Sequence, residues 1–285
     1  MNKWSYDLPH ITDKQKEILK LIHKFRFLNR IQIQTLMKHK DYKRINVWLK
    51  DLVGKDYLSR IYERKIPLNI KPAVYFLAPT GVRFSNAFAD TETNHKLYRE
   101  KQRSEEFRNK CILLANFYID TQQKTEQLNV LNYFKTKQQL EIYDDIIKPY
   151  PDGLISLKAP PIVVYNYLTK KNKLTTTLRK IKKHQNNNEN WVYYLELINE
   201  KAPRFYLRYR VKQYFEYADS KKLNKRTFVL FILPNDLTQK FLLKFIEKEF
   251  EDALFELNIK FAATTTDLFQ NNGLFAGIWT GIQRQ

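Results

Sequence analysis

A single cysteine, Cys111, stands in the whole chain of 285 residues. One thiol excludes an internal disulfide and any cysteine-rich zinc site. Within the apolar run Cys111-Ile112-Leu113-Leu114-Ala115 it is expected to be buried and inert rather than a nucleophile. Glycine is also scarce, six in all, so flexible joints are few. No glycine-rich loop opens a helix in the way that nucleotide hydrolysis requires. The five histidines (His10, His23, His39, His95 and His184) are dispersed, with no His-apolar-His pair to hold a metal beside a nucleophilic tyrosine. No apolar run approaches the roughly 18 to 20 residues of a membrane span, and the N-terminal stretch has no signal core. A cytoplasmic protein without a membrane partner is expected. There is no internal repeat. The last shortage is of acid: 30 Asp and Glu face 50 Lys and Arg, for a formal net charge of +20. That imbalance calls for a polyanionic partner and for binding that weakens with salt, because Lys and Arg displace condensed counterions.

Hydrophobic residues make up 43% of the chain and aromatics 14%, with 18 Tyr and 19 Phe. Such a composition folds and is unlike that of a charged disordered tail. The length suits two domains, each with its own core. The pattern predicts an α+β chain divided into residues 1–92, a linking helix over 93–125, and a mixed α/β domain over 126–285.

Thr12 with Gln15 three residues on makes a capping box before the apolar stripe Ile18, Leu19, Ile22 and Phe25. Asn29 caps a short second helix carrying Ile31, Ile33 and Leu36. A third helix follows Asp41 and ends near Gly54. In it Ile45, Trp48, Leu49, Leu52 and Val53 recur at i, i+3, i+4, i+7, i+8 and share one face. Lys40, Lys43, Val47 and Lys50 fall on the opposite face, flanked by Arg44 and Asn46. Strand-like runs at 57–61 and 73–77 then enclose Arg64, Lys65, Pro67, Asn69, Lys71 and Pro72 as a hairpin tip. Three short helices followed by a basic hairpin is the order of a winged helix-turn-helix. Double-stranded DNA is therefore the expected partner. Lys40, Lys43, Arg44, Asn46, Val47 and Lys50 would meet the major groove, and Arg60, Arg64, Lys65 and Lys71 the phosphates or the adjacent minor groove.

Pro79-Thr80-Gly81 turns the chain into a helix with Val82, Phe84 and Phe88, and residues 94–122 read as one long helix, charged first and apolar later. Beyond it strands are expected over 130–134, 152–157, 191–197, 227–233 and 259–264, with helices starting at Pro203 and running over 237–257. The continuous apolar run Thr227 to Leu233 suits a central strand buried on both faces. A basic stretch, Thr169 to Asn190, fits either an excursion over DNA or a solvated loop. The tail from Asn271 to Gln285 carries no assignable pattern.

Two acids stand out in the second half. Asp152, in Pro151-Asp152-Gly153, opens one strand, and Glu196 lies near the end of the next. Acids so placed on neighbouring strands of a mixed sheet can hold Mg²⁺ for phosphodiester cleavage, as in restriction-endonuclease-like nucleases. Those enzymes follow the second acid, after one residue, with lysine. Here that position is Ile198, leaving Asn199 or Lys201 as substitutes and Glu105 or Glu106 as a third carboxylate. After it, Lys201, Arg204, Arg208 and Lys212 make a second basic surface, with Arg204, Arg208 and Lys212 at i, i+4, i+8 on one helix.

The run Thr12 to Leu19, then Phe25-Arg26-Phe27-Leu28, then Val74 to Gly81 resembles the plasmid replication-relaxation family. Pro151-Asp152-Gly153 and Tyr194-Leu195-Glu196-Leu197, with the basic helix beyond, are similar to that family's second half. The resemblance covers most of residues 10–235 and implies a DNA-binding protein of plasmids, conjugative or other mobile elements, acting in replication or in relaxation and transfer. Family members usually carry another acid two residues after the strand acid, and Ile198 departs from this.

The combined expectation is a winged helix-turn-helix followed by a mixed α/β domain resembling the restriction-endonuclease-like fold. It is read as a sequence-specific duplex-binding accessory protein, with the second domain an inactive nuclease-like scaffold and no cofactor. A homodimer is expected, with relaxase or replication proteins as further partners. The alternatives are a Mg²⁺-dependent nuclease using Asp152 and Glu196, a transcription regulator, or a replication initiator.

Overall fold

The fold is taken from a computed structural model that describes residues 8–62, 72–86, 92–126, 131–158, 190–221, 223, 226–253, 257–273 and 276–282. The chain divides into two compact units, Met1–Ile119 and Asp120–Gln285.

In the first unit α1 (Asp13–Phe25) starts at the Thr12–Gln15 capping box and buries Ile18, Leu19, Ile22 and Phe25. α2 (Arg30–Leu36) starts at a second capping box, with Asn29 and Gln32 reciprocally bonded. It buries Ile33 but leaves Ile31 52% exposed. Ile31 sits about 200° around the helix from Ile33, so it does not join the inward stripe as its composition suggested. α3 (Tyr42–Gly54) is capped by Asp41, whose side chain accepts from the Lys43 amide at 2.8 Å.

β1 (Leu28–Asn29), β2 (Leu58–Ile61) and β3 (Val74–Leu77) form a three-stranded antiparallel sheet in the order β1-β3-β2. The hairpin register runs from Leu58 opposite Leu77 to Ile61 opposite Val74. The next helix, α4 (Pro79–Asn86), comes so close to this sheet that a Cβ on Gly81 would lie 2.1 Å from the Tyr57 carbonyl oxygen. Only glycine leaves room for that carbonyl, which accepts from the Ala78 amide at 3.0 Å. Phe88 lies outside the described residues.

The single long helix expected over 94–122 is in fact two elements. A 3₁₀ helix (Glu92–Gln102) gives way to α5 (Glu105–Glu126), with Arg103 and Ser104 between them. Ser104 accounts for the break. Its Oγ accepts from the Phe107 amide at 3.2 Å and starts α5, the local side-chain alternative to a continued helix. Glu100 is buried and ion-paired to Arg26, which fixes the turn before the break. Cys111 is buried near Phe27 and Phe76, as its apolar neighbours indicated.

The second unit is built on a six-stranded mixed sheet, ordered β4 (Leu131–Thr136), β5 (Gly153–Leu157), β6 (Trp191–Leu197), β7 (Thr227–Leu233), β8 (Lys260–Thr265) and β9 (Thr280–Ile282). β4-β5-β6 pair antiparallel, β6-β7-β8 parallel, and β9 antiparallel to β8. The parallel pairs need crossovers, supplied by α7 (Arg204–Ser220) and α8 (Asp236–Asp252). α8 stops earlier than the expected 257, with Ala253 already extended. Short helices α6 (Lys137–Leu140) and α9 (Thr266–Asn272) cap the ends of β4 and β8. α9 and β9 give structure to the tail, whose pattern carried no sequence signal.

Every residue of β7 is buried, as its unbroken apolar run required. Tyr194, Val229, Phe231, Leu233, Phe261 and Ala263 on one face of the sheet pack with Leu207, Val211, Phe215, Leu242, Ile246 and Phe250 of α7 and α8. Each such Val, Leu, Ile or Phe side chain contributes about 1.5 to 3 kcal/mol by leaving water. Phe215 and Phe261 stack with ring centres 5.4 Å apart. The other sheet phase carries Trp191 and Tyr193, stacked on Phe228 at 5.6 and 5.3 Å.

Candidate nucleic-acid interface and buried acid–arginine cluster

α3 presents two chemically distinct faces. Ile45, Leu49 and Leu52 are buried, while Lys40 just before the helix and Lys43, Arg44, Asn46, Val47 and Lys50 within it are exposed. The inward side is pinned by polar as well as apolar contacts. Asp51 Oδ2 accepts from Gln15 Nε2 of α1 at 2.6 Å and from Lys55 Nζ at 2.8 Å. These bonds, the one from Lys55 foremost, hold the Asp51 carboxyl below its ordinary pKa. α2 is fixed in turn by Gln32 Nε2, which donates to the Ile112 carbonyl at 2.8 Å and to Asn116 Oδ1 at 2.6 Å on α5.

The outward side is cationic but not purely so. Val47 is 63% exposed, and Ile31 and Tyr42 (50%) add further apolar surface on α2 and α3. Arg30 lies over the Tyr42 ring at 5.7 Å, and Arg44 over Trp48 at 5.9 Å, so two of the guanidiniums are pre-positioned by aromatic rings. From sequence Ile31 was assigned to the apolar stripe of α2, and Tyr42 was not singled out. The phase of Ile31, opposite to Ile33, was the available signal. On the hairpin Arg60 is exposed and lies over the Tyr62 ring at 4.9 Å. Arg64, Lys65 and Lys71 lie outside the described residues, as does the basic stretch 169–189.

Lys201, Arg204, Arg208 and Lys212 are all exposed. Arg204 and Arg208 rest on the Phe241 ring of α8 at 4.9 and 5.3 Å. Lys212 Nζ lies 3.9 Å from Glu249 Oε1.

Asp152 and Glu196 are brought together, since antiparallel pairing of Gly153 with Leu195 sets Asp152 beside Glu196. Both are buried. Asp152 joins three segments: its amide donates to the Leu195 carbonyl at 2.9 Å, its carbonyl accepts from the Lys137 amide at 3.0 Å, and its Oδ2 accepts from the Leu197 amide at 2.8 Å. Glu196 Oε1 receives three donors: Arg210 Nε at 2.9 Å, Arg210 Nη2 at 2.6 Å and Tyr214 Oη at 2.7 Å. Arg210 also donates through Nη1 to Gln213 at 3.1 Å.

Burial pushes the Glu196 carboxyl upward. Arg210 pulls it down again, while Asp152 beside it adds to the rise. Burial likewise raises the Tyr214 hydroxyl well above its ordinary pKa. For Arg210 burial opposes the charge, but Tyr214 and Glu196 outweigh it and hold the guanidinium more firmly protonated.

Glu196 Oε1 is not open to a divalent cation in this arrangement. The shared oxygen of Glu196 is already occupied by three donors, and a guanidinium supplies the compensating positive charge. Among the described residues no group of three or more His, Cys, Asp or Glu side chains is placed to hold a metal ion. Glu105 and Glu106 lie in the first turn of α5, in the first unit. Asn199 and Lys201 are exposed beyond the end of β6, and Ile198 is buried. Arg210 and Tyr214 were missed from sequence, although they share the inward face of α7 with the buried Leu207, Val211 and Phe215.

None of the described helices is long and apolar enough to cross a membrane. The family model described as Replication-relaxation matches residues 19–229. No curated protein matches the chain.

Proposed function

The chain belongs to the Replication-relaxation family, with the plasmid replication-associated role this implies, and on that premise we propose that it acts as a sequence-specific duplex DNA-binding protein. One observation carries the reading: the exposed face of α3 holds Lys43, Arg44, Asn46, Val47 and Lys50 together while its other face is buried. The first unit is read as a winged helix-turn-helix. Capped α1, α2 and α3 followed by the β2–β3 hairpin, with β1 as third strand, supply its element order. In that fold α3 lies in the major groove. Lys and Arg contact phosphate or guanine, Asn46 suits adenine, and Val47 suits a thymine methyl. Arg60 and the hairpin beyond it contact the flanking backbone.

The second unit is read as a restriction-endonuclease-like scaffold without cleavage activity. Its order β4-α6-β5-β6-α7-β7, entered from the end of α5, with three antiparallel strands followed by a parallel one, supports the fold. Capture of Glu196 by Arg210 supports a structural role for the acids. A homodimer reading a two-fold symmetric site in a plasmid, conjugative or other mobile element completes the proposal, with relaxase or replication proteins as further partners.

Recovery and sequencing of DNA cross-linked to the tagged chain in cells tests this. A discrete site with inverted half-sites on such an element is the expected result. Uniform recovery across the genome would overturn sequence specificity.

A further inference from the structure

α7 and α8 run side by side in the same direction, since Arg204 meets Phe241, Arg208 meets Phe241 and Phe245, and Lys212 meets Glu249 in turn. Their N-terminal halves are unusually basic. α7 has no acid before Glu216, and α8 has none between Asp236 and Glu247. Arg204 and Arg208 stand a turn apart on one helix, and Lys240 and Lys244 a turn apart on the other, all exposed. Next to Arg204 and Arg208 on α7 two aromatic rings project into water: Phe205 is 73% exposed and Tyr209 60%. They are four residues apart, on one face and about 6 Å apart along the axis.

A pure phosphate-binding surface has no use for a phenylalanine exposed to this degree, and an apolar protein contact has no use for two rows of exposed cations. The combination suits a strand that offers both a charged backbone and open base faces. Duplex DNA keeps its bases stacked inside, whereas single-stranded DNA exposes them. Arg204 and Arg208 are held against Phe241, which lowers the entropy lost when they grip phosphate.

We propose that the α7–α8 face is a second binding site, specific for single-stranded nucleic acid, in which Phe205 and Tyr209 stack on neighbouring bases while Arg204, Arg208, Lys240 and Lys244 track the backbone. The site uses none of the α3 residues, so it stands or falls separately from duplex recognition. A replication-associated protein with both sites would hold a duplex target and a strand opened from it.

The test is fluorescence anisotropy of the full chain with a labelled oligothymidylate of about 20 nucleotides, longer than one such site. Phe205→Ala with Tyr209→Ala is expected to weaken binding at least about thirtyfold, the low end for losing two base stacks, with thermal melting unchanged because both rings are exposed. Tyr209→Phe, which keeps the ring, should bind as the parent does. Arg204→Ala with Arg208→Ala should lower the salt slope by roughly 0.7 for each cation removed. Lys43→Ala with Lys50→Ala should leave the oligothymidylate affinity intact. Unchanged affinity in the double aromatic variant would overturn the proposal. So would displacement of the oligothymidylate by an equal concentration of end-closed duplex. Dispersal of a self-associated form by the aromatic substitutions, without loss of single-strand binding, would instead make the face a contact between copies of the chain and equally overturn it.

Discussion

Arg210 of α7 donates from both Nε and Nη2 to one oxygen of Glu196 on β6, and both side chains are almost wholly buried. The acid that marked a nuclease site in the sequence is thus held by a guanidinium and by Tyr214. A buried pair of this kind makes a weak case for net stability, but removing one partner strands the other charge in the core.

Removing Arg210 alone is therefore expected to destabilise the second unit by about 3 to 5 kcal/mol. Arg210→Met combined with Glu196→Leu should recover most of that loss, because no charge is left unpaired. Urea unfolding of the parent, the single variant and the double variant checks this. A single variant as stable as the parent would remove the pair from the structural account.

The same geometry bears on cleavage. Supercoiled plasmid incubated with the chain and Mg²⁺ or Mn²⁺ should remain supercoiled. Asp152→Ala should then register as a loss of stability, since Asp152 Oδ2 accepts from the Leu197 amide between two strands. Cleavage that disappears in Asp152→Ala would establish the nuclease instead.

Gly81→Ala places a methyl 2.1 Å from the Tyr57 carbonyl oxygen, so backbone must shift. A cost of about 1 to 3 kcal/mol or more is expected from such overpacking. Gly54, with nothing within 4 Å of an added Cβ, is the control, and Gly54→Ala should leave the melting curve nearly unchanged. Equal effects at the two sites would contradict the close approach of α4 to the sheet.

Lys24 supplies a pH dependence. It lies over the Tyr118 ring at 4.2 Å, and burial lowers its pKa from 10.5 to about 8. Between those two values the unfolded chain binds more protons than the folded one, so stability should rise with pH. The gain should be at most about 1.4 kcal/mol per unit, appearing from pH 8 towards 10 and absent from Lys24→Met. Guanidinium denaturation of both forms across that range checks it. Parallel curves would place the lysine in water.

Legibility from sequence followed the strength of local signals. The ends of β6 and β7 were readable to the residue because aromatic and β-branched runs begin and stop sharply at Trp191, Leu197, Thr227 and Leu233. The capping boxes at Thr12 and Asn29 were equally plain in their chemistry. β1 was not, since two residues carry no period and exist as a strand only through pairing with Val74 and Tyr75. The break at Ser104 was hidden because the charged pattern runs on across it, while the deciding contact, Glu100 with Arg26, joins distant parts of the chain. In the candidate sites, the exposed face of α3 followed from helical phase alone. The fate of Glu196 depended on Arg210, 14 residues further on, an arginine on the inward phase of α7 that composition alone would assign to solvent.

The central claim is that α3 reads duplex DNA. DNase footprinting on the recovered target, with the parent and with Lys43→Ala plus Lys50→Ala, tests it most directly. Both lysines are exposed, so the variant should fold as the parent does and show no specific footprint. Its remaining binding should have a salt slope lower by about one for each lysine taken away from a phosphate. A footprint of unchanged position and strength would take α3 out of the interface and contradict the account.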